Sequence, residues 1–202
     1  MSSTNTIQRQ TNTSAFSTYA LLLIPVGVAI NFIGGQLNDL LKLPLYLDTI
    51  GTLLSAILAG PIIGLTTGVL TNIVAGIINP VNFAFIPVNL VVGLIAGYLS
   101  KKDFFLTPLK IAISIVIITL VSIIVSAPIL VFAFGGLTGN GASVIASVLL
   151  ASGQNIWTAV IGTNGVFNFL DRILSILVVF AIIRVLPKKT LIQFQLGEKY
   201  IK

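Results

Sequence analysis

The chain contains no cysteine and no histidine, and only 8% of its residues are charged. Without cysteine there is no disulfide framework and no thiolate site. Without histidine the commonest metal ligand and the usual general base are missing. Redox, haem and zinc chemistry are therefore not expected, and neither is a cofactor or a metal. The scarcity of charge excludes a soluble globular domain, which carries roughly 25% charged residues. No Asp, Glu, Lys or Arg occurs between Asp48 and Lys101, or between Lys110 and Asp171. Each gap is long enough for at least two membrane-crossing helices of about 20 apolar residues. A transmembrane β-barrel would alternate polar and apolar residues in segments of about 10, whereas IAISIVIITLVSIIVSAPILVFAF is apolar throughout. The net charge of +6 points to membrane topology rather than nucleic acid, because the basic residues lie between and after apolar runs.

An all-α membrane protein with six transmembrane helices follows. Residues 1–14 are polar, carry only Arg9 and lack an A-x-A-like cleavage site, so the next apolar stretch is expected to be retained. The first helix is placed at 15–34, ending at Gly34-Gly35, with 35–47 as a partly helical interfacial loop. Breaks at Ala59-Gly60-Pro61 and at Asn79-Pro80-Val81-Asn82 divide the following run into helices at 47–59, 61–78 and 84–100. A fifth is expected at 109–134 with Pro128 near its outer end, then a polar outer loop with a short helix, then a sixth at 164–186. The domains are thus a polar segment 1–14, a transmembrane unit 15–186 and a soluble basic tail 187–202. Under this count Arg9, Lys101, Lys102, Lys110, Arg184, Lys188, Lys189, Lys199 and Lys202 share one side, and only Lys42 and Arg172 do not. The positive-inside rule makes that side, and both termini, cytoplasmic.

Polar side chains inside membrane helices are expensive and mark functional sites. Here they collect in the outer halves: Asn31, Asp48, Asn72, Asn79, Asn82, Asn89, Asn164, Asn168 and Asp171. Asn164, Asn168 and Asp171 stand at i, i+4 and i+7, as Asn72 and Asn79 stand at i and i+7, so each set shares a helix face. Such faces form a polar cavity opening outward. Amide side chains both donate and accept hydrogen bonds, as a nitrogen heterocycle requires, and Trp157, Phe83 and Phe85 are candidates for stacking on it. Each Asn has an alternative reading as interhelical hydrogen-bonding glue, and Trp157 as an interfacial belt residue. Arg172 beside Asp171 reads as charge neutralisation or snorkelling. Gly60, Gly64, Gly68, Gly76, Gly93 and Gly97 indicate close helix packing. No catalytic motif is present, and the lone Glu, Glu198, lies in the tail.

The stretch NFIGGQLNDLLKLPLYLDTIGTLLSAILAGPIIGLTTGVLTNI, followed by NPVNFAFIPVNLVVGLIAGYLSKK, resembles the S components of energy-coupling-factor (ECF) vitamin transporters. LDTIGT at 47–52, AGP at 59–61 and NPV at 79–81 carry most of the likeness, which covers 15–186. The resemblance implies a multi-pass protein of the bacterial plasma membrane that captures a vitamin or precursor from outside. It would associate with a transmembrane coupling subunit and two cytoplasmic ATPases and would not itself be an enzyme. The ligand would lie between the outer helix halves beneath the outer loops, with residues 35–44 as lid, the Asn residues on the ring edge, Trp157 stacking and Asp48 pairing with a protonated nitrogen. Few basic residues favour a neutral or weakly cationic heteroaromatic such as hydroxymethylpyrimidine or pyridoxine over a carboxylate. A secondary carrier coupled through Asp48 or Asp171, or a sensory or structural subunit, are the rival readings.

Overall fold

A computed structural model describes residues 17–201. The expectations for 1–14, Arg9 and Lys202 lie outside the described residues. Among the described residues all regular structure is helical. The helices are α1 (Thr18–Leu41), α2 (Ile50–Ala59), α3 (Pro61–Ile78), α4 (Val81–Ala84), α5 (Ile86–Lys101), α6 (Pro108–Phe134), α7 (Gly141–Ala151), α8 (Ile156–Val185) and α9 (Lys188–Leu191), followed by a 3-10 turn at Gly197–Tyr200. Four of them, α1, α3, α6 and α8, are long and apolar enough to cross a membrane.

Local chemistry explains most boundaries. Ser17 caps α1 by accepting the Ala20 amide at 3.2 Å. Gly60, at φ +92°, turns the chain from α2 directly into α3, whose first residue is Pro61. Asn140 and Asn155 cap α7 and α8 through the amides of Ser143 and Trp157.

Two expectations need correction. α1 does not stop at Gly34-Gly35 but runs to Leu41, so the helical part of 35–47 is a direct continuation of α1. The pair has a packing role: a Cβ on Gly34 would overlap the Leu47 carbonyl, and tertiary packing overrides the low helix propensity of glycine. α8 begins at Ile156 and not at 164, which puts Trp157 and Thr163 on the helix. The tail beyond α8 packs on the bundle. Leu191, Phe194 and Leu196 are buried, the Leu196 amide donates to the Leu58 carbonyl at 3.0 Å, and Lys199 pairs with Asp103.

α2 is the central element, with all ten residues buried. At 1.5 Å per residue it is about 15 Å long, half the roughly 30 Å of a bilayer's apolar core. Residues 43–49, which lead into α2, are not helical. Within a membrane, non-helical backbone survives only where protein buries it and satisfies its polar groups. Gly27 and Gly51 face each other where α1 crosses α2, and Gly64 and Gly93 where α3 crosses α5. A Cβ on Gly51 would enter the Gly27 backbone, which cannot yield as a side-chain tip would. Gly51→Ala should therefore cost about 2–3 kcal/mol or more through overpacking, read as a lowered unfolding temperature in detergent, whereas Gly162→Ala, with open space at its Cβ, should be neutral or better.

On α6 the distribution of polarity is inverted relative to a helix of a soluble bundle. The buried stripe of α6 is Ser114, Ile118, Thr119, Ser122, Ser126 and Ala127, while Leu109, Ile124 and Phe132 on other faces are 74%, 69% and 80% exposed. Only an apolar surround makes that arrangement favourable.

Candidate ligand-binding cavity

One end of the bundle encloses a cavity of about 260 Å³ lined from α1, the 43–49 segment, α3, α4, α5, α6, α7 and α8. Eight of the residues singled out in the sequence line it: Asn31, Asp48, Asn72, Asn79, Asn82, Asn89, Asn164 and Asn168. Their environments separate them into structural and available groups.

Asn31 is fully buried, and both ends of its amide are used. It donates to Thr52 Oγ1 at 2.8 Å and Thr71 Oγ1 at 2.9 Å, and accepts the Gly51 amide at 2.6 Å. It therefore ties α1, α2 and α3 together at the floor of the cavity. Asn72, Asn82 and Asn89 form a chain. Asn89 donates to Asn72 Oδ1 and, at 3.4 Å, to Asp48 Oδ2; Asn72 donates to the Asn82 carbonyl at 2.9 Å. On the opposite wall Asn168 donates to Asn164, which donates to Ser126 Oγ at 2.6 Å and accepts from the Tyr46 hydroxyl at 2.9 Å. Such amide chains fix side-chain orientation before any ligand arrives, at little reorganisation cost on binding.

Asp48 is half-buried, facing this space, and its one side-chain partner is Asn89. Arg172 is 2% exposed and also lines the cavity, so it does not snorkel. It donates to Thr49 Oγ1 and stands 3.7 Å from Asp171 Oδ2.

Two of the ten expected residues lie elsewhere. Trp157 is on the outside of α8, edge-on to Phe132 at 5.6 Å between ring centres. Asp171 is completely buried behind the wall, because the 43–49 segment crosses α8 at its level and covers it. Of the aromatic candidates Phe85 lines the cavity, stacked on Phe134 at 5.9 Å, and Phe83 packs against Gly76. The 35–44 segment is mostly helical and lines the cavity through Gly35, Gln36, Asn38, Asp39 and Lys42, and Gly136, Thr138, Asn140 and Ser143 of the α6–α7 connection and α7 line it as well. Gly141 lies against the carbonyls of Lys42 and Leu43.

Sequence reasoning missed Asn38, Tyr46 and Thr163. Asn38 is 3% exposed with Oδ1 unpartnered, and Thr163 Oγ1 is likewise unpartnered; all three residues line the cavity. Asn38 was detectable, since it stands seven residues after Asn31 on the same face once α1 is continued through the glycines.

A helical bundle with an apolar exterior, hydroxyl-bearing helix contacts and an enclosed amide-rich cavity at one end is a membrane-embedded small-molecule-binding protein. The family model described as ECF transporter, substrate-specific component, matches residues 20–183. The chain belongs to that family: it is the substrate-specific subunit of an ECF transporter, a binding subunit rather than an enzyme, which works with separate transmembrane coupling and ATPase subunits. No curated protein and no solved structure matches it.

Proposed function

We propose that this S component captures a small heteroaromatic vitamin or vitamin precursor, hydroxymethylpyrimidine or pyridoxine fitting best, for uptake across the bacterial plasma membrane. The observation that carries the reading is the cavity itself: about 260 Å³ and rich in amides, with Asp39, Lys42, Asp48 and Arg172 as its charged lining residues. Drug-sized ligands occupy pockets of about 300–1,000 Å³, so this volume suits a one-ring compound and argues against a corrin. Asn79, Asn82, Asn89, Asn164 and Asn168 would address the ring edge, Phe85 would take the stacking role first given to Trp157, and Asp48 would meet a protonated nitrogen or an amino group. Asn31 would act by holding the cavity floor.

The topology proposed with this function has six crossings. Four are α1, α3, α6 and α8; the fifth is α5, and the sixth is α2 continued by the extended residues 43–49. Lys101, Lys102, Lys110, Arg184, Lys188, Lys189 and Lys199 then lie at the end opposite the cavity, which by the positive-inside rule puts the termini in the cytoplasm and the cavity outside.

Uptake separates this reading from a secondary carrier. Cells expressing the chain together with a transmembrane coupling subunit and two ATPases should accumulate labelled pyridoxine or hydroxymethylpyrimidine. Accumulation should stop on ATP depletion and survive a protonophore while ATP is maintained. Uptake by the chain alone that collapses with the proton gradient would overturn the proposal in favour of coupling through Asp48.

A further inference from the structure

The non-helical segment 43–49 is gripped on both sides of Asp48 by two consecutive residues of α8. On the N-terminal side, Asp171 Oδ1 accepts the amides of Tyr46 at 3.1 Å and Leu47 at 2.8 Å. On the C-terminal side, Arg172 Nη1 donates to the hydroxyl of Thr49. Both grips are dry, since Asp171, Arg172 and Thr49 are 0%, 2% and 1% exposed. Between them Leu47 adopts φ +55°, a left-handed conformation uncommon for a branched side chain. Its carbonyl is pressed against Gly34, where no Cβ fits. A strained residue persists where its surroundings over-determine it, and here the surroundings are the two amide bonds and the glycine contact. The consequence is local: residue 48 alone in the span 46–49 has no α8 partner, and its carboxylate is left to the cavity.

We propose that the Asp171–Arg172 pair is a positioning clamp that holds the 46–49 backbone so that the Asp48 carboxylate is presented to the ligand. Asp171 thus acts through Asp48 and not by contact with the ligand. The proposal rests on the binding reading above for its consequence, but the clamp itself is measurable without a ligand.

The geometry also dictates which substitutions spare the clamp. Asn in place of Asp171 keeps an oxygen that accepts both amides, whereas Ala removes it. Thr49→Val deletes the acceptor of Arg172 at nearly constant volume. Hydrogen exchange of the Tyr46 and Leu47 amides, read by mass spectrometry on the purified full chain, should be slow in the wild type and in Asp171→Asn. In Asp171→Ala it should be faster by about tenfold or more, the signature of a lost local restraint. Exchange unchanged in Asp171→Ala would overturn the clamp.

With pyridoxine as probe, Asp171→Ala should weaken binding about tenfold in the wild-type background, within the range of coupling between residues that act together, and have almost no further effect in Asp48→Asn. Asp171→Asn should retain most of the affinity, and Thr49→Val should weaken binding in the same Asp48-dependent way. Losses that multiply across the two backgrounds would show a merely structural role and overturn the positioning claim. If Asp171→Ala does not fold, Thr49→Val carries the same cycle. Absence of pyridoxine binding by wild type with slow exchange at 46 and 47 would sink the choice of ligand and uphold the clamp.

Discussion

Asp48→Asn should reduce affinity for a protonated heteroaromatic by ten- to a hundredfold or more while leaving the unfolding temperature nearly unchanged. A hydrogen bond to a charged partner contributes about 1.5–3 kcal/mol, and each 1.4 kcal/mol is about tenfold in affinity. The substitution is close to isosteric, and the Asn oxygen still accepts from Asn89, so the Asn72–Asn89 chain survives. Among the described residues Asp48 forms no direct ion pair, the contacts of Arg172 being with Thr49 and Asp171. Titration calorimetry of the detergent-purified variant measures the effect. A loss under about threefold would mean that the ring is held by neutral hydrogen bonds, each worth nearer 1 kcal/mol.

The second large effect is on stability. Asn31→Ala strips the partner from the Gly51 amide and from the hydroxyls of Thr52 and Thr71 where α1, α2 and α3 meet. Unpaired buried groups cost about 1–3 kcal/mol each, and hydrogen bonds between membrane helices contribute about 0.6–2 kcal/mol. A total of about 2–5 kcal/mol is expected, seen as a lowered midpoint of thermal unfolding. Asn79→Ala is the matched control. It removes an amide at the exposed end of α3 whose one bond is to the Val81 amide, so about 1 kcal/mol or less should be lost. Equal losses in the two variants would contradict the distinction between floor and rim.

These two residues also show how far the sequence was readable. Asn31 and Asp48 were singled out together because both are polar residues in a chain where polarity is expensive, and depth along the helices placed them at one end. Depth cannot separate a satisfied amide from an available one; that depends on Thr52, Thr71 and Gly51, which approach Asn31 only in the folded bundle. α3 was legible to the residue, since Gly60-Pro61 and Asn79-Pro80 are strong stops on either side. Gly34-Gly35 looked like a stop of the same kind and was a contact, because the extended segment pressing on Gly34 has no signature in local propensity. Ending the helix there hid Asn38, which shares the face of Asn31 only in a continuous α1. Asp171 was correctly marked as costly, but periodicity gives a face and not a neighbour, and its neighbour is the backbone at 46 and 47. Trp157 followed from residue type alone, and the early start of α8 carries it to the outer surface.

The most direct test of the central claim, that the amide-walled cavity holds one small heteroaromatic molecule, is native mass spectrometry of the detergent-purified chain with a panel of B vitamins and their precursors. One bound hydroxymethylpyrimidine or pyridoxine per chain, retained in Trp157→Phe and lost in Asn168→Leu, is the expected result. Correctly folded protein that takes up no member of the panel, or binding that ignores Asn168 and depends on Trp157, would contradict it.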